Sequence, residues 1–338
     1  MSATPRFLIV LTLATGCAAP KPKLDIKLTP SSQLCAGAPP PAGAMCLPTD
    51  KLEHLLKESE MSVLQVRSTS SGTNGAVTMW LEFPKEGVTL KAKWKEAARG
   101  GSALNNQPRK ELAAYELQKL FLAPDEYVVP PTESRCIPLE KYQSAVRPTK
   151  PTFDGTSCAF GVLAYWLEGV KGMGKLDRTK FETDLNYRKT MANLNLFTYL
   201  FNHRDTRSAN FVMARSNDYP RAFSIDNGLA LDGLMNPETA FLHEWSRIVV
   251  PKLPYRTIDR LRKVTRAQLD TLGTVAEFAI DSKQLEPIDN TAAFVEKDGI
   301  RRRGNVIQLG LTKREIDQIE GRIQDLLRKV DAKEIEQY

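Results

Sequence analysis

Residues 202–212 read NHRDTRSANFV and set a carboxylate, Asp205, five positions ahead of an amide, Asn210. Sixteen positions beyond Asn210, FSIDNG places Asp226 at the end of a predicted strand, directly before an Asn-Gly turn. Phosphoryl transfer needs a carboxylate to take a hydroxyl proton. It also needs an amide and a second carboxylate to hold a divalent cation on polyphosphate oxygens. Either stretch alone also spells an ordinary charged turn. Their combined meaning depends on what precedes them.

A lysine strand and a glutamate helix precede them. In GVTLKAKWK, residues 87–95, Val88, Leu90, Ala92 and Trp94 alternate with Thr89, Lys91, Lys93 and Lys95. The three lysines therefore share one strand face, and periodicity does not choose among them. A lysine there can neutralise phosphates, and Glu111 on the next helix is its natural partner. That helix is predicted from QPRKELAAYELQKLFL, with Pro108 at its start and Leu112, Tyr115, Leu117 and Leu120 as its apolar face. Ahead of the lysine strand, MSVLQVRST and AVTMWLEF flank SSGTNG, where Asn74-Gly75 signals a hairpin. Backbone N–H groups around Gly72 and Gly75 could rest on phosphates.

The remaining elements follow the same logic. DKLEHLLKE (50–58) reads as a short helix, and CAFGVLAYWLEGV as a buried strand leading into a Gly-rich connection. YRKTMANLNLFTYLF carries Met191, Leu194, Phe197 and Leu200 or Phe201 at helical spacing, and NFVMARS and PRAFSIDNG read as two short strands. The last helix, LTKREIDQIEGRIQDLLRKV, opens with a capping box from Thr312 to Glu315 and continues through Ile316, Ile319, Ile323, Leu326 and Val330. Strands first and helices second predict an α+β fold of two lobes, a strand-rich lobe at 51–168 and a mostly helical lobe at 169–338.

With 338 residues and 42% hydrophobic content, the chain can bury a sizeable core, and 26% charged residues describe a soluble globular protein. A net charge of +7 favours acidic partners. The densest basic runs, IRRRG (300–304) and TLKAKWK (89–95), are too short for a nucleic-acid track. At the amino terminus Arg6 precedes FLIVLTLA and then TGC at 15–17. This resembles a bacterial lipoprotein signal, with Ala14 where Leu is commonest; cleavage would remove 1–16 and leave Cys17 carrying lipid. Residues 17–50, rich in Pro, Ala and Gly, read as a tether holding the protein to the cell envelope, on the periplasmic or surface face of the outer membrane. Four further cysteines suit an oxidising compartment, with Cys35–Cys46 and Cys136–Cys158 as the local pairings among three possible sets. Three histidines far apart give no zinc pattern.

The stretches PRKELAAYELQKLFL, YVVPPTE, NHRDTRSANFV and FSIDNG resemble the atypical kinase superfamily. That superfamily joins phosphatidylinositol 3- and 4-kinases, bacterial toxin kinases and the secretory-pathway Golgi casein kinase group, the last being nearest in motif style. Lys110 to Tyr115 match its Arg-Glu-apolar-Ala-Ala-aromatic helix, Asp226 to Gly228 match its Asp-Asn-Gly metal motif, and the resemblance spans roughly 63–230. It implies a two-lobe protein-kinase-like fold in which Glu111 pairs with the nucleotide lysine. The WK pattern makes Lys95 the better match and Lys93 the second. Asp205 is implied as the base, Asn210 and Asp226 as metal ligands, and AYWLEGV, with Leu167, as the adenine hinge. The Gly72–Gly75 hairpin departs from the Gly-x-Gly-x-x-Gly loop of protein kinases. The implied reactants are ATP with Mg2+ or Mn2+ and a hydroxyl acceptor on a protein. A lipid kinase, a nucleotide-binding pseudokinase and an envelope interaction lipoprotein are the alternatives.

Overall fold

The period-two pattern of the first half folds into a five-stranded antiparallel sheet. The computed structural model describes residues 47–69, 75–103, 106–205, 209–215, 220–231, 244–288 and 298–338. Cys17, Cys35, Cys46 and Gly72 lie outside these residues, as do the lipoprotein signal and most of the tether. Helix α1 (Thr49–Lys57) leads into strands β1 (Ser62–Ser68), β2 (Val77–Phe83) and β3 (Val88–Glu96). Helix α2 (Pro108–Lys119), strand β4 (Thr132–Pro138), helix α3 (Leu139–Ala145) and strand β5 (Cys158–Tyr165) follow. The sheet order is β1-β2-β3-β5-β4.

Alternation along β3 decides what each face can do. Val88, Leu90, Ala92 and Trp94 join Met79, Leu81 and Phe83 in one apolar cluster, capped by Leu52, Leu55 and Leu56 of α1. A nine-residue helix is too short to persist alone, so burial of those leucines, worth about 1.5–3 kcal/mol each, holds α1 on the sheet. Lys91, Lys93 and Lys95 consequently point away from this core. Trp94 fits because β5 has Gly161 opposite Glu96; a Cβ there would stand 2.6 Å from both the Trp94 ring and the Lys95 carbonyl.

The chain continues through β6 (Val170–Gly172), α4 (Arg178–Thr183), α5 (Leu185–Leu200), β7 (Phe211–Ala214) and β8 (Ala222–Ser224). Asp184 caps α5, accepting from the N–H groups of Asn186 and Tyr187 at 2.9 and 3.0 Å. The chain continues through β9 (Lys252–Leu253), α6 (Tyr255–Arg262), α7 (Arg266–Asp270), β10 (Ala276–Asp281), β11 (Gln284–Pro287), β12 (Ile300–Arg303) and β13 (Val306–Leu309). It ends in α8 (Lys313–Asp331) and β14 (Glu336–Gln337). Met191, Leu194, Phe197 and Leu200 of α5 share one core with Ile316, Ile319, Ile323, Leu326 and Val330 of α8. The α+β class and the two-lobe layout are therefore both present.

One stretch departs from the mostly helical expectation for the second half. Strands β10 to β13 form a four-stranded antiparallel sheet in the order β11-β10-β13-β12. Its strands have only four to six residues, too few for periodicity to show. Its first hairpin turns at Ser282-Lys283, with φ of 47° and 66°, without the Asn or Gly that normally advertises such a turn. This sheet packs back on the first lobe, where Phe278, Leu285, Ile307 and Leu309 cluster with Phe153 and Phe160. The IRRRG run is also not wholly a surface cluster, since buried Arg301 donates to the carbonyls of Gly273 and Leu311 at 2.5 and 2.8 Å. Among the described residues no helix is long and apolar enough to cross a membrane.

Cys136 and Cys158 form a disulfide that staples β4 to β5. The bond closes a loop across a sequence separation of 22 residues, which restricts the unfolded chain. Replacing both cysteines with serine should lower unfolding free energy by about 3 kcal/mol. Urea unfolding of wild type and variant checks this, and equal midpoints would show that the staple adds nothing.

Candidate active site in the cleft between the lobes

Lys95 lies at the end of β3, buried, on the face turned from the first-lobe core. Its Nζ donates to Glu111 Oε1 at 3.1 Å and to Asp226 Oδ1 at 2.8 Å. Glu111 reaches it from the first turn of α2, and its second oxygen accepts the Asn227 backbone N–H at 2.8 Å. Asp226 follows β8 in the left-handed region, φ 58° and ψ 56°, a conformation that Asp and Asn tolerate better than most residues. The turn is pinned by Ser224, whose hydroxyl donates to Asn227 Oδ1 at 2.8 Å. Gly228 lets α2 come close: a Cβ there would stand 3.3 Å from Glu111 Oε1 and 3.4 Å from Lys95 Nζ.

The three strand lysines take different surroundings. Lys91 pairs with Glu168 and lies over the Trp80 ring, and Lys93 sits at the cavity rim with its Nζ 3.8 Å from Asp226 Oδ2. Only Lys95 of the three is buried and joined to Glu111. Burial alone would depress the Lys95 ammonium, but the charges of Glu111 and Asp226 outweigh it and hold the lysine protonated well above its ordinary range. Burial would likewise raise Asp226, yet Lys95 and Lys93 pull its carboxyl far below the usual range, so it stays ionised.

The loop carrying Asp205 is held against this cluster from below. Its entry turns at Asn202, φ 45°, and His203 makes an isolated bridge with Ala230, just past the Asp226 turn. Asn210 Nδ2 donates to the Asp205 carbonyl at 3.0 Å, while the Ile225 N–H donates to the Asn210 carbonyl at 2.8 Å. The pairing of β7 with β8 places Asn210 beside the strand that ends in Asp226. His203 is fully buried, its ring 5.2 Å from that of Phe211. Burial pushes its imidazole down to about 4, against the upward pull of Asp205 and Asp226, so the ring is neutral near pH 7.

An apolar cavity of about 180 Å3 opens beside Lys95, walled by Val129, Pro130, Val162, Ala164, Leu167 and Val212. Lys93, Glu111 and Asp226 line its polar end, so these expected residues share one cavity with Leu167 and Lys95. Asp205 and Asn210 lie in the adjoining loop and do not line the cavity. Gly75 is elsewhere: its φ is +66°, and its carbonyl accepts from Arg147 at 2.9 Å, outside the cavity wall. A larger groove, about 1190 Å3, runs beside Arg204 and Arg322 and contains none of the lysine–glutamate–aspartate cluster.

Sequence reasoning missed the supports of this cluster. The Asn227 N–H and the closeness of Gly228 were visible only as parts of a turn motif. Val129 and Pro130 entered only as part of YVVPPTE, with no wall of a cavity assigned to them. As for a metal, among the described residues no group of three or more His, Cys, Asp or Glu converges. The donors expected for one are a carboxylate of Asp226, which Lys95 and Lys93 face, and the amide oxygen of Asn210, whose nitrogen is tied to the Asp205 carbonyl. Hard oxygen donors of this number suit magnesium or manganese completed by phosphate and water, and do not suit zinc.

A strand lysine, a helix glutamate and a strand-end aspartate thus meet in one cluster that ties β3, α2 and the turn after β8 together. No protein-family model matches the chain, and no curated protein matches it in sequence. Among solved structures it is similar to a hydra Fam20 with sugar, at 14% identity over 81% of this chain and 86% of that one, TM-score 0.43. It is also similar to a Golgi casein kinase, at 14% identity over 83% and 74%, TM-score 0.44. A Golgi casein kinase with manganese and ADP bound gives 13% identity over 67% and 66%, TM-score 0.39.

The buried neutral His203 carries a pH signature. An unfolded histidine titrates near 6.5, whereas His203 resists protonation until about pH 4. Between those values the unfolded chain binds more protons, so stability falls as pH falls, by up to about 1.4 kcal/mol per pH unit from this group. His203→Leu should flatten that part of the curve. Urea unfolding at pH 6.5 and pH 4.5 measures it, and an unchanged slope in the variant would place the acid sensitivity elsewhere.

Proposed function

We propose that this protein is a phosphotransferase that takes the terminal phosphate of ATP, with magnesium or manganese, to a hydroxyl acceptor. The observation that carries the reading is the Lys95 ammonium held between Glu111 and Asp226 at the polar end of an apolar slot. A permanently protonated lysine at that point neutralises polyphosphate oxygens, and Glu111 keeps it aimed. The slot, with Leu167 and Ala164 on one wall and Val212 on another, accepts a flat purine by burial of apolar surface.

The chemistry then falls to a few groups. The acceptor oxygen attacks the γ-phosphorus as the bond to the β–γ bridging oxygen breaks, leaving ADP, and Asp205 takes the hydroxyl proton. Asn210 and Asp226 would hold the divalent cation, which neutralises charge on the phosphates when bound. An exported, oxidising location fits both the Cys136–Cys158 bond and the lipidation expected at Cys17.

A second reading, nucleotide binding without turnover, is favoured by one contact. Lys95 sits on the carboxylate that a metal would use, at 2.8 Å. Variants separate the two. Mg-ATP at ~100 times its dissociation constant should stabilise the protein by about 2.7 kcal/mol, read as a rise in melting temperature. Asp226→Ala should lose that rise, whereas Asp205→Asn should keep it and lose phosphate transfer to a hydroxyl acceptor or to the chain itself. No rise in the wild type would sink both readings, and a rise without transfer would leave only the second.

A further inference from the structure

Helix α2 presents Glu111 to the cleft and sends its two preceding residues the other way. Arg109 forms a two-point contact with Glu315, Nη1 to Oε2 at 2.5 Å and Nη2 to Oε1 at 3.0 Å. Lys110 Nζ lies 3.4 Å from Glu315 Oε1 and donates to the Ala230 carbonyl at 2.7 Å. Ala230 belongs to the segment just past Asp226, whose Asn227 N–H holds the other oxygen of Glu111. Glu315 stands at the third position of α8, where its Oε2 also accepts from the N–H and hydroxyl of Thr312 at 2.9 and 3.1 Å.

A helix cap does not account for this arrangement. A capping box works at an exposed helix end and needs no cation. Here the Glu315 and Lys110 side chains are only 3% and 1% exposed, and a buried carboxylate is costly unless charged partners offset it. The guanidinium is confined as well. Its Nη1 also donates to the Gly310 carbonyl at 3.3 Å, and a Cβ at Gly299 would stand 2.5 Å from Arg109 Cδ. The sheet β10–β13 and the start of α8 therefore grip α2 at the turn that bears Glu111.

We propose that Glu315 is a positioning residue: through Arg109 and Lys110 it sets the register of α2, and so keeps Glu111 on Lys95. Its catalytic meaning rests on the phosphotransferase reading, but the mechanical claim concerns only the resting protein. Released from Glu111, Lys95 loses one of the two charge-assisted hydrogen bonds that hold its amine, which becomes accessible to an acylating reagent.

The test is acylation of the full chain by N-hydroxysuccinimide acetate, with the rate at Lys95 read by peptide mass spectrometry well below each variant's melting temperature. Glu315→Gln should raise the Lys95 rate about tenfold, the scale of coupling within one ion-pair network. Glu111→Gln should do the same, and the double variant should go no further. Thr312→Ala, which weakens the cap but spares Arg109, should leave the rate unchanged. Arg109→Lys, which keeps the Glu315 cap and its charge balance but loses the two-point contact, should raise the rate and serves if Glu315→Gln does not fold. Wild-type Lys95 rates in both Glu315→Gln and Arg109→Lys, or full multiplication in the double variant, would overturn the proposal. Absence of phosphate transfer by the wild type would count against the proposed function alone, since the labelling needs no turnover.

Discussion

The site is organised around one ammonium group that must be buried and charged at once. Lys95 can stay protonated inside the protein only because two carboxylates arrive from different elements, Glu111 from α2 and Asp226 from the end of β8. A strand, a helix and a second-lobe turn are thereby forced to agree in position. Removing the lysine would leave two carboxylates without the cation between them, which is a larger penalty than the loss of an exposed ion pair. The small side chains nearby serve the same requirement. Gly161 leaves room for the Trp94 ring, and Gly228 lets α2 approach the Asp226 turn.

Much of this was legible because local patterns happened to report tertiary positions. Alternation in GVTLKAKWK assigned the lysine face, and the structure keeps Lys91, Lys93 and Lys95 on it. Alternation could not rank them, since the ranking depends on where α2 and the Asp226 turn cross the strand. The motif spacing around Asp205, Asn210 and Asp226 was readable as a loop followed by a strand end, and β7 and β8 pair accordingly. Thr312 and Glu315 illustrate the opposite case. The capping box explained them completely at the local level, so nothing pointed to Arg109 and Lys110, more than two hundred positions earlier.

The sheet β10–β13 was illegible for a related reason. Its strands are short, one turn lacks the usual residues, and its apolar side chains complete a core begun by Phe153 and Phe160. The sequence around it alternates too briefly to be distinguished from surface loop. Arg301 added to the confusion, because a run of arginines reads as solvated charge unless two carbonyls can be seen to receive it. Residues from the far end of the chain thus finish the packing of the first lobe, on the same side as the Cys136–Cys158 staple.

The backbone at Asp226 has an evolutionary corollary. Left-handed φ and ψ are tolerated by asparagine as readily as by aspartate, so a single-base drift from one to the other would leave the turn undisturbed. The turn therefore does not demand the carboxylate, and what sets it apart from an amide there is the charge that meets Lys95 and Lys93. A chain with the amide at this position would keep the architecture while Lys95 lost one of its two counter-charges.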